Sequence, residues 1–343
     1  MRPSRLVPAP FLLSLLAFLS ACAASPRPGD ELARRGDEIL ACGRLFHTGA
    51  PVVLYCDPGG YDAYRVERRF GPRDQAAWDP ARVQPGHTPN RYSSRRAEAE
   101  FGRAVAPVGE SDWTLEYLRQ RIDQLVIHYD VAGTSRACFR TLHDDRNLSV
   151  HFMLDLDGTI YQTLDLKERA RHATIVNDRS IGIEIANIGA YPVPSGAASD
   201  ALPEPPAQLN RVYLREPDGR VRISLSDDEA ASLRVAGFVP RPSRPGPIVG
   251  VVQGETLAMY DLTDAQYESL ARLTAALCRI FPEIQRDYPR DGRGELVRAK
   301  LPDDRLVRYR GLLGHYHVQS NKTDPGPAFD WDRLLRRAGE FLP

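Results

Sequence analysis

Two stretches, Leu125-Val126-Ile127-His128-Tyr129 and Ser180-Ile181-Gly182-Ile183-Glu184-Ile185-Ala186-Asn187, decide the fold. Each is a short apolar run rich in β-branched residues, the pattern of a strand buried on both faces. Between them, Val150 to Leu156 and Thr159 to Thr163 flank Asp157-Gly158, a strong turn signal, and read as a hairpin. Helical patterns surround these strands. Trp113 to Arg121 and Arg136 to Arg146 read as short helices. Thr263-Asp264-Ala265-Gln266 is a capping box, followed by an apolar stripe of Tyr267, Leu270, Leu273, Leu277 and Phe281 that Pro282 stops. A last helix follows Pro327 through Trp331, Leu334 and Leu335. Strands mixed with helices predict the α/β class, one mixed central β-sheet flanked by helices.

The regions outside this pattern differ in texture. Residues 191 to about 260 break the rhythm with Pro, Ala and Ser, then with hairpins expected at 212–225 and 249–260, and read as a β-hairpin-rich insertion. Upstream, Pro51 to Phe70 reads as two strands around Asp57-Pro58-Gly59-Gly60, and 71 to 110 as a connector lying on the surface. The expected organisation is therefore an export segment at 1–21, an anchor, linker and small β-containing region at 22–110, and a main domain at 111–343.

The export segment rests on Arg2 and Arg5 ahead of the apolar run Phe11 to Leu19, which is too short to span a bilayer. Leu19-Ser20-Ala21-Cys22 then resembles a bacterial lipobox, which makes Cys22 the expected site of lipidation and the new N-terminus. This predicts a lipoprotein of the cell envelope, facing the periplasm from the outer membrane in a Gram-negative cell. The other cysteines, Cys42, Cys56, Cys138 and Cys278, are even in number and permit two disulfides, whose pairing spacing does not decide.

Composition narrows the function. The 343 residues carry 45 bases and 45 acids, and 42% are hydrophobic, which excludes wholesale disorder and a polytopic membrane protein. A formal net charge of zero argues against a nucleic-acid binder that works by blanket positive charge. Of the 45 cations only Lys167, Lys300 and Lys322 are lysine.

Three features carry chemistry. His128 ends an apolar strand, where a side chain can project toward a cleft. Gly314-His315-Tyr316-His317 is followed by Asp324 within Asn321-Lys322-Thr323-Asp324-Pro325-Gly326-Pro327. Two imidazoles and a carboxylate suit a zinc ion with one position left open for water. An i, i+2 pair in extended chain shares a face, so spacing leaves His315 and His317 as competitors. Glu184 is costly between Ile183 and Ile185 unless it is paired, coordinated or turned outward from an edge, and it is a candidate general base. Lys322 offers a compact ammonium suited to a developing oxyanion.

These residues and their surroundings resemble the type 2 N-acetylmuramoyl-L-alanine amidases, the group that includes the AmpD-like enzymes and shares its fold with peptidoglycan recognition proteins. The resemblance rests on Leu125 to His128, His151-Phe152 to Gln162, Arg169-Ala170-Arg171-His172-Ala173, Ser180 to Glu184, and Gly314-His315 through Trp331. It implies zinc held by His128, His315 and Asp324, with Glu184 as catalytic carboxylate, Lys322 steadying the tetrahedral intermediate, and His172 lining the substrate cleft. It also implies peptidoglycan or a muropeptide as substrate, cut between N-acetylmuramic acid and L-alanine. The chain departs from the pattern at Arg171, where many members carry tryptophan, and at Thr174. The reading from a different class is a cell-wall anchoring lipoprotein whose domain grips peptidoglycan without cutting it.

Overall fold

The structure is a computed structural model and describes residues 34–65, 67–70, 91–95, 114–193 and 205–342. The expected export segment, Cys22 and Trp113 lie outside them. Residues 35–343 form one compact unit.

The centre is a six-stranded sheet made of β1 (Val52–Leu54), β2 (Gln124–Tyr129), β3 (Phe152–Leu154), β4 (Ile160–Gln162), β5 (Ser180–Ile185) and β6 (Gly311–Gly314). Their spatial order is β6-β2-β5-β3-β4-β1. All neighbours run parallel except the β3–β4 hairpin, so the sheet is mixed, as the apolar runs predict. The parallel register sets His128 beside Glu184, and Glu184 beside Met153. Gly314 stands beside Ile127, so β6 ends level with the same point.

Alternation along the strands sorts the two faces. Leu125, Ile127, Ile181, Ile183 and Ile185 point to one side and pack against the two long helices. These are α2 (Asp264–Ile280) and α4 (Trp331–Glu340), with α1 (Leu115–Arg121) beside them and α3 (His315–Val318) following β6. Helix α2 starts where the capping box predicts. The Thr263 hydroxyl accepts from Gln266 N, and the Gln266 side chain accepts from Thr263 N. It ends before Pro282, with Phe281 at its C-cap.

The opposite face divides into two smaller clusters. One holds Val53, Met153, Tyr161 and Phe139, the other Val126, Leu313, Val176 and Leu306. His128 and Glu184 lie on this face between them, by the same alternation. The helix expected over 136–146 forms as Ser135–Phe139 and continues as a wider π turn over Arg140–Asp145.

Two expectations for the N-terminal region are corrected. The apolar stretch 51–70 holds one strand rather than two, and that strand is the edge of the central sheet. After it the chain doubles back at Gly59 and Gly60, and Tyr61 is buried through its ring, stacked on Phe139, instead of pairing its backbone. Within the expected surface connector, Tyr92–Ser94 pairs with Glu168–Ala170, and Arg91 and Arg95 are fully buried. Arg95 donates to the carbonyls of Leu166, Asn177, Asp178 and Ser180. Strand β1 and Tyr92–Ser94 thus both pair with strands that lie after residue 110.

The insertion contains the two expected hairpins, Tyr213–Arg215 with Val221–Ile223 and Ile248–Val252 with Glu255–Met259. Its small apolar cluster, in which Tyr213 stacks on Tyr260 at 4.1 Å, also takes in Leu156 and Ala186 of the central domain. The insertion packs against the loop that carries Asp324. A Cβ on Gly326 would meet Met259 Sδ at 2.4 Å, and one on Gly250 would meet Pro327 Cβ at 2.9 Å. Among the described residues, Cys42, Cys56, Cys138 and Cys278 form no disulfide with one another. Among the described residues, no helix is long and apolar enough to cross a membrane.

Leu273 is fully buried between α2 and the sheet. Leu273→Ala is expected to lower the unfolding free energy by about 2–5 kcal/mol in urea titrations.

Candidate metal centre and cleft

Three donor atoms meet on the second face of the sheet. His128 comes from the end of β2, His315 from the first residue of α3, and Asp324 from the loop after it. His128 Nδ1 and His315 Nδ1 are 3.0 Å apart, and each stands beside Asp324 Oδ2, at 2.9 and 3.0 Å. All three residues are buried.

The outer nitrogens constrain the tautomers. His315 Nε2 faces Gln319 Oε1 at 2.7 Å, one helical turn on; the amide oxygen can only accept, so Nε2 carries the proton. His128 Nε2 faces His172 Nδ1 at 3.1 Å, and His172 Nε2 faces Ser180 Oγ at 3.3 Å. A relay in which each Nε2–H donates outward leaves both inner Nδ1 atoms with lone pairs aimed at one point. Burial, then His315, pushes the His128 pKa down to about 4, so its ring is neutral at pH 7. Burial pushes Asp324 up, but His315 and His128 more than offset it and hold the carboxyl well below its usual range.

Two imidazole nitrogens and one carboxylate oxygen, with lone pairs facing inward, repel one another unless a cation sits between them. The set fits zinc in kind and number, with room for a non-protein ligand. Metal–ligand bonds of about 2.0–2.1 Å imply donor separations of about 3.4 Å in a tetrahedron, a few tenths wider than here.

His317, the competitor left open by spacing, is turned away. Its Nδ1 accepts from Gly314 N at 2.9 Å, and its Nε2 donates to the Val297 carbonyl at 2.6 Å. It is fully buried and fixes the turn from β6 into α3.

The remaining residues singled out from sequence surround the centre. His128, His315, Asp324, Glu184, Lys322 and His172 all line one cleft. Glu184 projects from β5 in register with His128, half-buried. Burial, then Asp324 and Asp130, raises its pKa well above the ordinary glutamate value; Lys322 and Arg146 pull the other way. Lys322 is half-buried. His172 has a part beyond lining the cleft, because its ring supports the outer nitrogen of His128. Gly182 makes room for it: a Cβ there would lie 2.5 Å from His172 Nδ1.

Sequence reasoning missed several supports. Asp130 accepts from the backbone N–H of Ala132, Gly133 and Asn187, tying the turn after β2 to the end of β5. Burial raises its pKa to about 8. The Tyr129 hydroxyl bonds the Thr323 hydroxyl at 2.6 Å, next to Asp324. Gln319 was detectable in principle, four residues after His315 on the same helical face. No residue of the described insertion is among those lining the cleft.

The profile of the N-acetylmuramoyl-L-alanine amidase family matches residues 118–225, a span that includes His128, His172 and Glu184. Among curated proteins, the chain is similar to the 1,6-anhydro-N-acetylmuramyl-L-alanine amidase AmpD of Escherichia coli (strain K12). The two are 34% identical over 73 residues, 21% of this chain and 27% of that protein. The chain thus matches about a quarter of the length of this relative. Among solved structures, it is similar to a selenomethionine derivative of AmpD at 18% identity and a TM-score of 0.32, covering 72% of this chain and 89% of that one. It is also similar to AmiD from E. coli, solved with anhydro-N-acetylmuramic acid-L-Ala-D-gamma-Glu-L-Lys. There the identity is 17% and the TM-score 0.34, over 68% of this chain and 61% of that one.

Removing the outer acceptor tests the tautomer argument. Gln319→Ala is expected to weaken zinc binding by about 10–100-fold in chelator competition, with little change in thermal stability. Unchanged affinity would show that the His315 orientation is set elsewhere.

Proposed function

We propose that this chain is a zinc-dependent amidase that hydrolyses the amide between N-acetylmuramic acid and L-alanine in peptidoglycan or a muropeptide. The observation that carries the reading is the convergence of His128, His315 and Asp324 with Glu184 beside them in register. The family match over 118–225 supports the reaction class, and the muropeptide bound to AmiD supports the substrate class.

His128, His315 and Asp324 would hold the metal. A zinc ion so held supplies Lewis acidity toward the amide carbonyl and lowers the pKa of water. Glu184 accepts the proton of the attacking water as oxygen adds to the carbonyl carbon, then passes it to the leaving nitrogen as the C–N bond breaks. The products are the lactyl carboxylate of the sugar and the free amine of L-alanine. Burial raises the Glu184 pKa, which makes its carboxylate a stronger proton acceptor than an exposed glutamate. Lys322 offsets the negative charge that develops on the carbonyl oxygen. His172 keeps the His128 ring in orientation through its outer nitrogen.

We also propose, on residues 2–22 alone, that the protein is exported and lipidated at Cys22, which would place the reaction on the wall or its fragments outside the cytoplasm.

Two substitutions separate metal binding from turnover. Glu184→Ala is expected to keep zinc near one equivalent by elemental analysis while hydrolysis of a muropeptide falls by about 10²–10⁴-fold. Asp324→Ala is expected to lose zinc and turnover together. Full metal content in the Asp324 variant would count against this ligand set.

A further inference from the structure

Arg146 and Arg171 line the same cleft as the metal donors, and the reaction described above uses neither. Neither guanidinium makes a hydrogen bond or ion pair with another described residue. That sets them apart from neighbouring arginines: Arg169 pairs with Asp178 at 3.0 Å, Arg179 pairs with Asp123, and Arg95 is bonded to carbonyls. The cleft's own carboxylates are otherwise engaged. Asp324 is shared by two imidazoles, and Asp130 takes three backbone N–H groups. Arg146 pulls the Glu184 pKa down, against the larger upward effects of burial, Asp324 and Asp130.

The two arginines come from adjoining backbone. Arg171 N donates to Ser149 Oγ at 3.0 Å, and Ser149 N donates to the Arg171 carbonyl at 3.4 Å, so the segments bearing Arg146 and Arg171 are tied together. Arg146 follows the π turn 140–145, whose Thr141 and Leu142 also line the cleft. Arg171 is half-buried, with Arg169 two residues away adding a like charge. Arg146 is exposed at the mouth of the cleft, whereas the half-buried Arg171, without an ion-pair partner among the described residues, bears a desolvation cost that an incoming anion would offset.

We propose that Arg146 and Arg171 form a carboxylate-binding wall that selects substrates with a free carboxylate on the peptide side of the scissile amide. Identifying the ligand as a stem peptide rests on the amidase reading. In a peptide of the kind bound to AmiD, glutamate is linked through its γ-carboxyl, so its α-carboxylate is free close to the L-alanine end. The arginine wall offers such a group a complementary charge on the side of the cleft away from Asp324. Guanidinium recognises carboxylate in a fork geometry that a carboxamide, itself half donor, does not reproduce.

The test uses two muropeptides that differ only at that position, α-carboxylate against α-carboxamide. Their binding to the zinc-loaded full chain carrying Glu184→Gln is measured by calorimetry, so that no cleavage intervenes. The carboxylate form is expected to bind about tenfold tighter. Arg146→Gln and Arg171→Gln should each cut that advantage to about threefold or less, and Arg171→Lys should retain part of it. Equal affinities in the parent, or an advantage that survives both glutamine substitutions, would overturn the proposal. Parallel cleavage assays on the unsubstituted chain keep the two ideas apart. A carboxylate preference without any cleavage would sink the amidase reading and keep the wall, while cleavage indifferent to amidation would do the reverse.

Discussion

One carboxylate oxygen, Asp324 Oδ2, is shared by two imidazole nitrogens inside a buried pocket, and much of this molecule is arranged to make that possible. A buried carboxylate is costly alone, and so are two buried imidazoles with inward lone pairs. Together they are tolerable, because the ionised acid and the ring nitrogens share a cation or a proton. The two histidines hold the Asp324 pKa low despite its burial, while burial, then His315, lowers the His128 pKa against the opposing pull of Asp324.

The parallel sheet brings the partners together. Strands β2, β5 and β6 lie side by side and end level, so His128, Glu184 and the start of α3 emerge at one edge, where ligands of parallel sheets are commonly bound. Close packing then holds each part still. Gly182 admits the His172 ring that fixes His128, and Gly326 admits the Met259 side chain under the Asp324 loop. The described insertion thus acts from behind, as a buttress for the Asp324 loop rather than as a lining of the cleft.

Much of the fold was legible because burial on both faces leaves continuous apolar strands, and because Thr263 and Gln266 mark a helix start by hydrogen-bond chemistry alone. The site was partly legible for the same reason, since a histidine ending one such strand and a glutamate interrupting the next stand out. The choice between His315 and His317 was not, because residues 315–318 form a helical turn, not the extended chain that spacing assumed. Its resolution lies in backbone bonds from Gly314 and Val297 that no spacing rule encodes. The segment around Arg91 and Arg95 escaped for a different reason. Its burial rests on guanidinium bonds to carbonyls, which leave no apolar periodicity, and three-residue β1 is too short to show alternation. An even cysteine count likewise says nothing about distance, and the four described cysteines form no disulfide with one another.

The most direct test of the central claim is mass spectrometry of the products formed when the zinc-loaded protein is incubated with isolated muropeptides, with and without a chelator. The account predicts stem peptides with a free L-alanine amine, which disappear on chelation and return when zinc is restored. Intact muropeptides after incubation with a folded, zinc-loaded sample, or products that persist in the chelator, would contradict it.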